Sequence, residues 1–205
     1  MRDAVELVEL EPARREDAAL VLADAFLDDP AWIAIGPSRE GARLRLLRAY
    51  YRVVLREATR HGGPIWGAVR DGDLLGTAVA FADGRAYPPP RAKLAEGPPF
   101  LLAGPAPAIR GVWIDAIFKR RHMHEPHLYL WQLAVHPSAQ RQGMGRALMA
   151  RVLEHAEALE SPAYLETTKP ENVPYYGSFG FHVVDEADLL RGAHVWFMLR
   201  DRSAL

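Results

Sequence analysis

The chain contains no cysteine in its 205 residues. That absence excludes disulfides, thiolate zinc sites and a cysteine nucleophile, and it suits a reducing compartment. Charge of one sign is also missing: 25 Lys and Arg stand against 26 Asp and Glu, a formal net charge of −1. A field that weak does not hold a polyanion, so nucleic acid is not an expected partner. Long apolar runs are missing too, since none reaches the roughly 18 residues of a membrane-crossing helix. The opening MRDAVELVEL mixes acids into its apolar residues and has no signal-peptide core. We therefore expect a soluble, cytoplasmic protein with no membrane partner.

What is present is ordinary globular material: 49% hydrophobic and 25% charged residues. The length fits one domain over 1–205, able to bury roughly 70% of its unfolded surface. Alternation predicts a half-buried strand at 5–10, and Pro12 leads into a helix over 14–27 that ends at DDP. Residues 41–59 carry Leu44, Leu47, Tyr51, Val54 and Leu55 at helical spacing. The arginines between 39 and 60 then read as the solvated side of that helix. Strands at 65–69 and 74–81 flank RDGD, an Asp-Gly hairpin turn. A Pro/Gly-rich stretch at 83–108 is expected as a loop, either a binding loop or a plain linker. A helix is expected over 109–121 and a strand buried on both faces over 128–135. An amphipathic helix at 143–159, a strand at 163–168, a helical turn at 172–178 and strands at 179–184 and 195–199 complete the pattern. Such an order suggests one sheet covered by helices on both faces.

The chemistry concentrates in HPSAQRQGMGRALM, His136 to Met149. Gly143 and Gly145 sit where the chain leaves the buried strand and enters a helix. Helix N-termini present unpaired N–H groups and the positive end of the macrodipole, so they attract anions. Glycine removes a side chain that would keep a phosphate away, and Arg141 and Arg146 add positive charge. A dinucleotide-binding fingerprint fits worse, because the third glycine is missing and the pair comes late; a Walker A loop fits worse, because no lysine follows. On the pattern alone, a tight turn with close helix packing stays open as the alternative.

The longer string LAVHPSAQRQGMGRALM resembles the acetyl-CoA-binding motif of the GCN5-related N-acetyltransferase (GNAT) superfamily, with Gln140, Gly143 and Gly145 at its signature positions. Downstream, YYGSFGF is similar to that superfamily's Tyr-x-x-x-Gly-Phe, with Tyr176, Gly180 and Phe181 in place and Asn172 ahead of them. Two motifs in the right order are far more specific than either one. Within the superfamily, EPHLYLWQLAVHP and YLETTKPENVPYYGSFGF look most like the branch containing puromycin N-acetyltransferase.

The resemblance implies a mixed α/β (α+β) GNAT fold, with a mostly antiparallel sheet of six to seven strands, a parallel central pair and helices on both faces. It implies acetyl-CoA as cosubstrate, no metal, and direct transfer to an amine in a ternary complex, where proximity supplies several kcal/mol. Backbone amides of Gln142, Gly143, Met144, Gly145 and Arg146, with Arg141 and Gln140 beside them, would hold the diphosphate. Leu133, Ala134 and Val135 would pair with pantetheine, and the Leu133 N–H would stabilise the thioester oxygen, a contact worth about 3 kcal/mol in such sites. Tyr176 would protonate the leaving thiolate, and Asn172 would contact the cofactor. The small-molecule amine acceptor is an implication too; a protein N-terminus, a lysine, or a non-catalytic CoA-binding role are alternatives, and a homodimer is left open.

Other candidates come from residue types. Glu166 is a mid-strand carboxylate, unfavourable there unless paired or used, so it is a general base, an amine anchor or a structural hydrogen-bonding group. Asp28, Asp29 and Trp32 follow the first helix, where the superfamily builds its acceptor site; an acidic pair beside an aromatic suits a cationic amine, and helix capping is the alternative. Trp131 is the further acceptor-side candidate. His122, His124 and His127 lack a completing carboxylate or cysteine pattern for zinc and read as solvated loop histidines, or one lining the acceptor pocket.

Overall fold

The computed structural model describes residues 5–81 and 90–202, with side chains from 94 onward in the second stretch. The first alternating run forms edge strand β1 (Glu6–Glu9), and a 3-10 turn at Pro12–Arg14 leads into α1 (Arg15–Ala25). Pro30 opens a short helix, α2 (Pro30–Ile35), too brief to show periodicity in the sequence. Asp29 caps it, accepting from the N–H groups of Ala31 and Trp32 at 2.9 and 3.3 Å. The leucine- and tyrosine-striped segment is α3 (Glu40–Arg60). Most of its arginines are solvated as expected, and Arg48, Arg52 and Arg60 reach Asp24, Glu16 and Glu57. Arg43 is the exception: it is buried, and its guanidinium donates to the carbonyls of Leu27 and Pro37.

Strands β2 (Ile65–Arg70) and β3 (Asp73–Phe81) are joined through Asp71 and Gly72 at φ of 54° and 84°, the left-handed pair of a type I′ hairpin. Two helices then stand where a loop over 83–108 is expected: α4 (Pro90–Ala103) and α5 (Pro105–Arg121). The part of that stretch from 83 to 89 lies outside the described residues. Helix prevails in α4 despite Pro98 and Pro99 because packing outweighs local propensity. Phe100 stacks on Trp32 at 6.0 Å and meets Tyr50 edge-on at 5.6 Å, and Glu96 is buried.

The remainder follows the sequence pattern except at one strand: β4 (Leu128–Val135), α6 (Met144–Ala158), β5 (Ala163–Thr167), α7 (Asn172–Gly177), β6 (His182–Asp188), which starts three residues and ends four residues later than the strand expected at 179–184, and β7 (His194–Arg200). The seven strands make one sheet in the order β1-β2-β3-β4-β5-β7-β6. All neighbours pair antiparallel except β4 and β5, which are parallel. One face packs under α1, α2 and α3 around Leu22, Leu47, Tyr51, Val79 and Phe197. The other packs under α6 around Ala78, Leu128, Leu148, Val152 and Leu165.

Two irregularities position the site. The parallel pairing of β4 with β5 consists of Leu128↔Ala163 and Tyr129↔Tyr164, after which the strands part while β4 runs on to Val135. Against β3, Gln132 faces Val79 and Leu130 faces Ala80, so Trp131 is the extra residue of a β-bulge. The bulge slips the alternation, and Leu133 and Val135 join Leu128 and Leu130 on the α6 side.

Candidate active site

A sheet whose central strands part leaves backbone groups without a strand partner and a gap between the layers. Here the gap is a cavity of about 900 Å³. Leu133, Ala134 and Val135 from β4 form one wall, and Leu165, Glu166 and Thr167 from β5 form the facing one. Asn172 and Tyr176 close the end below α7, and Gln140 and Arg141 stand at the mouth by α6. Trp32, Tyr50, Phe100 and Trp131 make the far end aromatic. Seven of the expected cofactor contacts and three of the acceptor-side candidates are thus brought to one space from distant parts of the chain.

The mouth is built by unusual backbone. Arg141 at φ 58° and Gly143 at φ 89° are both left-handed, which turns successive N–H groups toward one concave side. Gly143 is the N-cap of α6, and Ala147 makes the first return bond, 3.0 Å to the Gly143 carbonyl. The N–H groups ahead of Ala147 therefore have no acceptor inside the helix. A Cβ at Gly143 would meet no protein atom within 4 Å, so its surroundings are open. Gly145 differs: a Cβ there would lie 3.1 Å from the Tyr175 hydroxyl, so this glycine makes room for a tyrosine. The Met144 side chain points into the core. Gln140 ties the loop to the strand end, its Nε2 donating to the Val135 carbonyl at 3.2 Å, and Gln142 is held by Arg70 at 2.6 Å. The Arg146 guanidinium sits 5.0 Å over the Phe179 ring.

The two tyrosines of α7 diverge. Tyr176 is buried against the cavity, and burial pushes its phenol far above the ordinary tyrosine value, so it stays protonated at neutral pH. The Tyr175 hydroxyl is buried beside Gly145 without a hydrogen-bond partner among the described residues, and burial raises its phenol as well. Asn172 Nδ2 donates to Thr167 Oγ1 at 3.0 Å, fixing α7 to the end of β5.

The acidic pair after α1 splits between two environments. Asp29 lines the cavity but is committed: besides capping α2 it accepts from Thr168 Oγ1 at 2.7 Å, and burial raises its carboxyl above the ordinary value. Asp28 lies outside the cavity wall, with an exposed side chain bridged to Lys169 at 2.7 Å. The capping alternative therefore describes Asp29 directly. Thr168, the residue that links the cap to β5, carried no signal in the sequence.

The histidines correct an expectation. His124 is exposed, whereas His122 and His127 are buried, at 4% and 1%. His122 Nδ1 lies 2.9 Å from Glu166 Oε1, and its Nε2 lies 3.2 Å from His127 Nε2. Glu166 is thus a paired buried carboxylate, reached by His122 from just beyond α5, a segment that local patterns do not connect to it. Among the described residues, no group of three or more His, Asp or Glu side chains is arranged to hold a metal ion.

Comparison with known proteins bears on this geometry. The sequence model described as the acetyltransferase (GNAT) family matches residues 32–181. A Corynebacterium glutamicum structure described as histone acetyltransferase HPA2 and related acetyltransferase superposes with a TM-score of 0.73 at 22% identity, covering 100% of this chain and 99% of that one. An N-acetyltransferase from Staphylococcus aureus Mu50 has a TM-score of 0.61 at 12% identity, with 98% and 100% covered. The paia N-acetyltransferase of Thermoplasma acidophilum, solved in complex with coenzyme A, has 0.59 at 14% identity, with 97% and 99% covered.

Proposed function

Because this chain belongs to the acetyltransferase (GNAT) family and is an acetyl-CoA-dependent N-acetyltransferase, we propose that its acceptor is a primary amine of a small molecule. The observation that carries this reading is the covered acceptor end. Trp32 and Phe100 stack across it, α4 and α5 wall it in, and acidic side chains, Glu96 and Glu166 among them, line an otherwise aromatic space. A wall of that kind suits a compact cationic amine better than a folded protein's tail. The motifs around Glu125-Pro126 and Leu165-Glu166-Thr167 favour the branch that contains puromycin N-acetyltransferase, and the reading takes residues 1–205 as one such domain.

The residues present fit acetyl-CoA. The parted strands give a slot, the open space at Gly143 gives an anion mouth, and the buried Tyr175 hydroxyl stands beside it. Bound acetyl-CoA supplies the activated acyl group, a thioester carbonyl. The backbone N–H groups from Gln142 to Arg146 hold the diphosphate, and Arg141 adds charge at the rim. Backbone groups of Leu133, Ala134 and Val135 align the pantetheine arm as a neighbouring strand does, and the Leu133 N–H donates to the thioester oxygen as charge builds there. Tyr176, a phenol protonated at neutral pH whatever its burial, would give its proton to the leaving sulfur. Glu166 receives the N–H of the attacking amine, and Trp131, re-aimed by the bulge, packs against the acceptor body.

Free-thiol release from acetyl-CoA, measured across amines that include puromycin, polyamines and a lysine peptide, tests the reading. Turnover with a small amine is expected. Turnover with the peptide alone would overturn the acceptor class.

A further inference from the structure

We infer that Glu166, His122 and His127 form a triad holding one proton more than two neutral imidazoles carry, with His122 as the imidazolium and Glu166 ionised toward the acceptor. The inference rests on the reading of Glu166 as the contact for the acceptor amine.

The argument is a count of protons. Three hydrogen bonds run in series: Glu166 Oε1 to His122 Nδ1 at 2.9 Å, His122 Nε2 to His127 Nε2 at 3.2 Å, and His127 Nδ1 to the Glu125 carbonyl at 2.7 Å. Each bond needs one proton. A carbonyl only accepts, so His127 Nδ1 carries a hydrogen and donates it. If His127 is neutral, its Nε2 is a bare lone pair, and His122 Nε2 must donate to it. A third proton is then required between His122 Nδ1 and Glu166. Two neutral imidazoles bring two protons, and the series therefore contains an extra one, which offsets the carboxylate charge.

Burial says where the extra proton sits. His127 is the more enclosed ring, which leaves the proton between Glu166 Oε1 and His122 Nδ1, and a carboxyl is ordinarily the stronger acid of that pair by about two pH units, so the charge falls on His122. The side chains of His122 and Glu166 are only 4% and 5% exposed, so neither charge is tolerable alone and the pair is neutral together. Tyr129 from β4 and Tyr164 from β5 each lie 4.7 Å from the His122 ring and edge-on to it, and burial together with the Glu166 charge raises the Tyr164 phenol. Glu125 precedes His127 in the turn before β4. Asp185 on β6 is engaged by Arg121 at 2.8 Å. The Tyr164 phenol stays neutral, so among the described residues the imidazolium is the counter-charge that Glu166 touches.

The consequence is functional. Glu166 lines the acceptor end of the cavity, so a fixed, ionised carboxylate there attracts and orients an amine N–H. His122 and His127 are positioning residues that act through it. A carboxylate without this support, enclosed as deeply, would take up a proton and lose its hold on a cation.

Nitrogen-15 NMR of histidine-labelled full-length protein tests the proton count without any turnover. At pH 7 we expect both ring nitrogens of His122 to be protonated and one of His127 to be bare, and Glu166→Gln to release the extra proton from His122. A bare nitrogen on His122 in the unsubstituted protein overturns the inference. Kinetics adds the positioning arm. His122→Gln and His127→Phe should raise the KM for the acceptor amine about 10- to 100-fold, the worth of one charge-assisted hydrogen bond. The KM for acetyl-CoA should stay unchanged, and His127→Gln, which still offers an acceptor to His122, should restore most of the affinity. An unaltered amine KM in both His122→Gln and His127→Phe also overturns it. Failure to acetylate any amine would instead remove the reading of the acceptor site and leave the NMR result standing.

Discussion

Replacing Gly143 by alanine separates the protein's need for this glycine from the ligand's. The residue sits at φ 89° and ψ −12° as the N-cap of α6. An L-residue held in the left-handed region costs about 1–2 kcal/mol. At about 2–4 °C per kcal/mol for a chain of this size, the melting temperature should fall by roughly 2–8 °C. No larger loss is expected, because the new Cβ would touch no protein atom within 4 Å. The diphosphate, however, is read as occupying that open side. A methyl group there lifts it off at least one charged hydrogen bond, worth about 1.5–3 kcal/mol, so affinity for coenzyme A should drop about 10- to 100-fold. Titration calorimetry with coenzyme A and with pantetheine, which lacks the diphosphate, makes the comparison. Gly72→Ala is the control, since that glycine has φ 84° and equally open surroundings but lies in the β2–β3 turn. The control should lose comparable stability and keep its coenzyme A affinity. Equal affinities in both variants, or an equal loss for pantetheine, would refute the assignment of the α6 mouth to the diphosphate.

Tyr176→Phe should lower kcat about 100-fold or more while coenzyme A affinity holds, with Tyr175→Phe as the milder control; steady-state kinetics beside calorimetry reads both. Asp29→Ala removes the cap of α2 and the bond to Thr168 together, about 2–3 kcal/mol, and should lower the melting temperature by about 4–12 °C. The same carboxyl has its folded value raised by burial, so its contribution to stability is complete below the ordinary aspartate range and fades as pH rises through the raised value. Asp29→Asn should flatten that part of the stability–pH curve in denaturant titrations, and an unchanged curve would show that the group does not titrate on folding. Trp131→Ala should raise the acceptor KM about tenfold through lost aromatic contact, leaving coenzyme A binding intact in the same assays.

Much of the architecture is legible locally. The span of β4, apolar on both faces, and the Asp-Gly hairpin follow from periodicity and turn chemistry, and α3 and α6 are offset by a residue or so at each end. The segment after β3 is not legible, because Pro98 and Pro99 suppress the helical signal while the partners that overrule them, Trp32 and Tyr50, lie about fifty or more residues earlier. At the site, the residue whose place depends on its own backbone conformation is readable: Gly143, at φ 89°. Those whose role depends on a distant neighbour are not. Gly145 is read as space for a ligand or for close packing, and the Tyr175 hydroxyl, 30 residues on, stands 3.1 Å from where its Cβ would be. Asp29 is read as an acceptor contact or a helix cap, and its commitment to Thr168 as it caps α2 at the cavity wall has no local signal.

The sequence by itself determined the family motifs, the order of the strands and the glycine-rich start of the helix after β4, because those depend on spacing and on intrinsic backbone preference within a dozen residues. Only the tertiary structure decided where β4 and β5 part, where the bulge at Trp131 falls, and that His122 is buried against Glu166 with His127 behind it. Register between strands and the burial of a titratable side chain are properties of surfaces meeting across long loops, and no local pattern of residues encodes them.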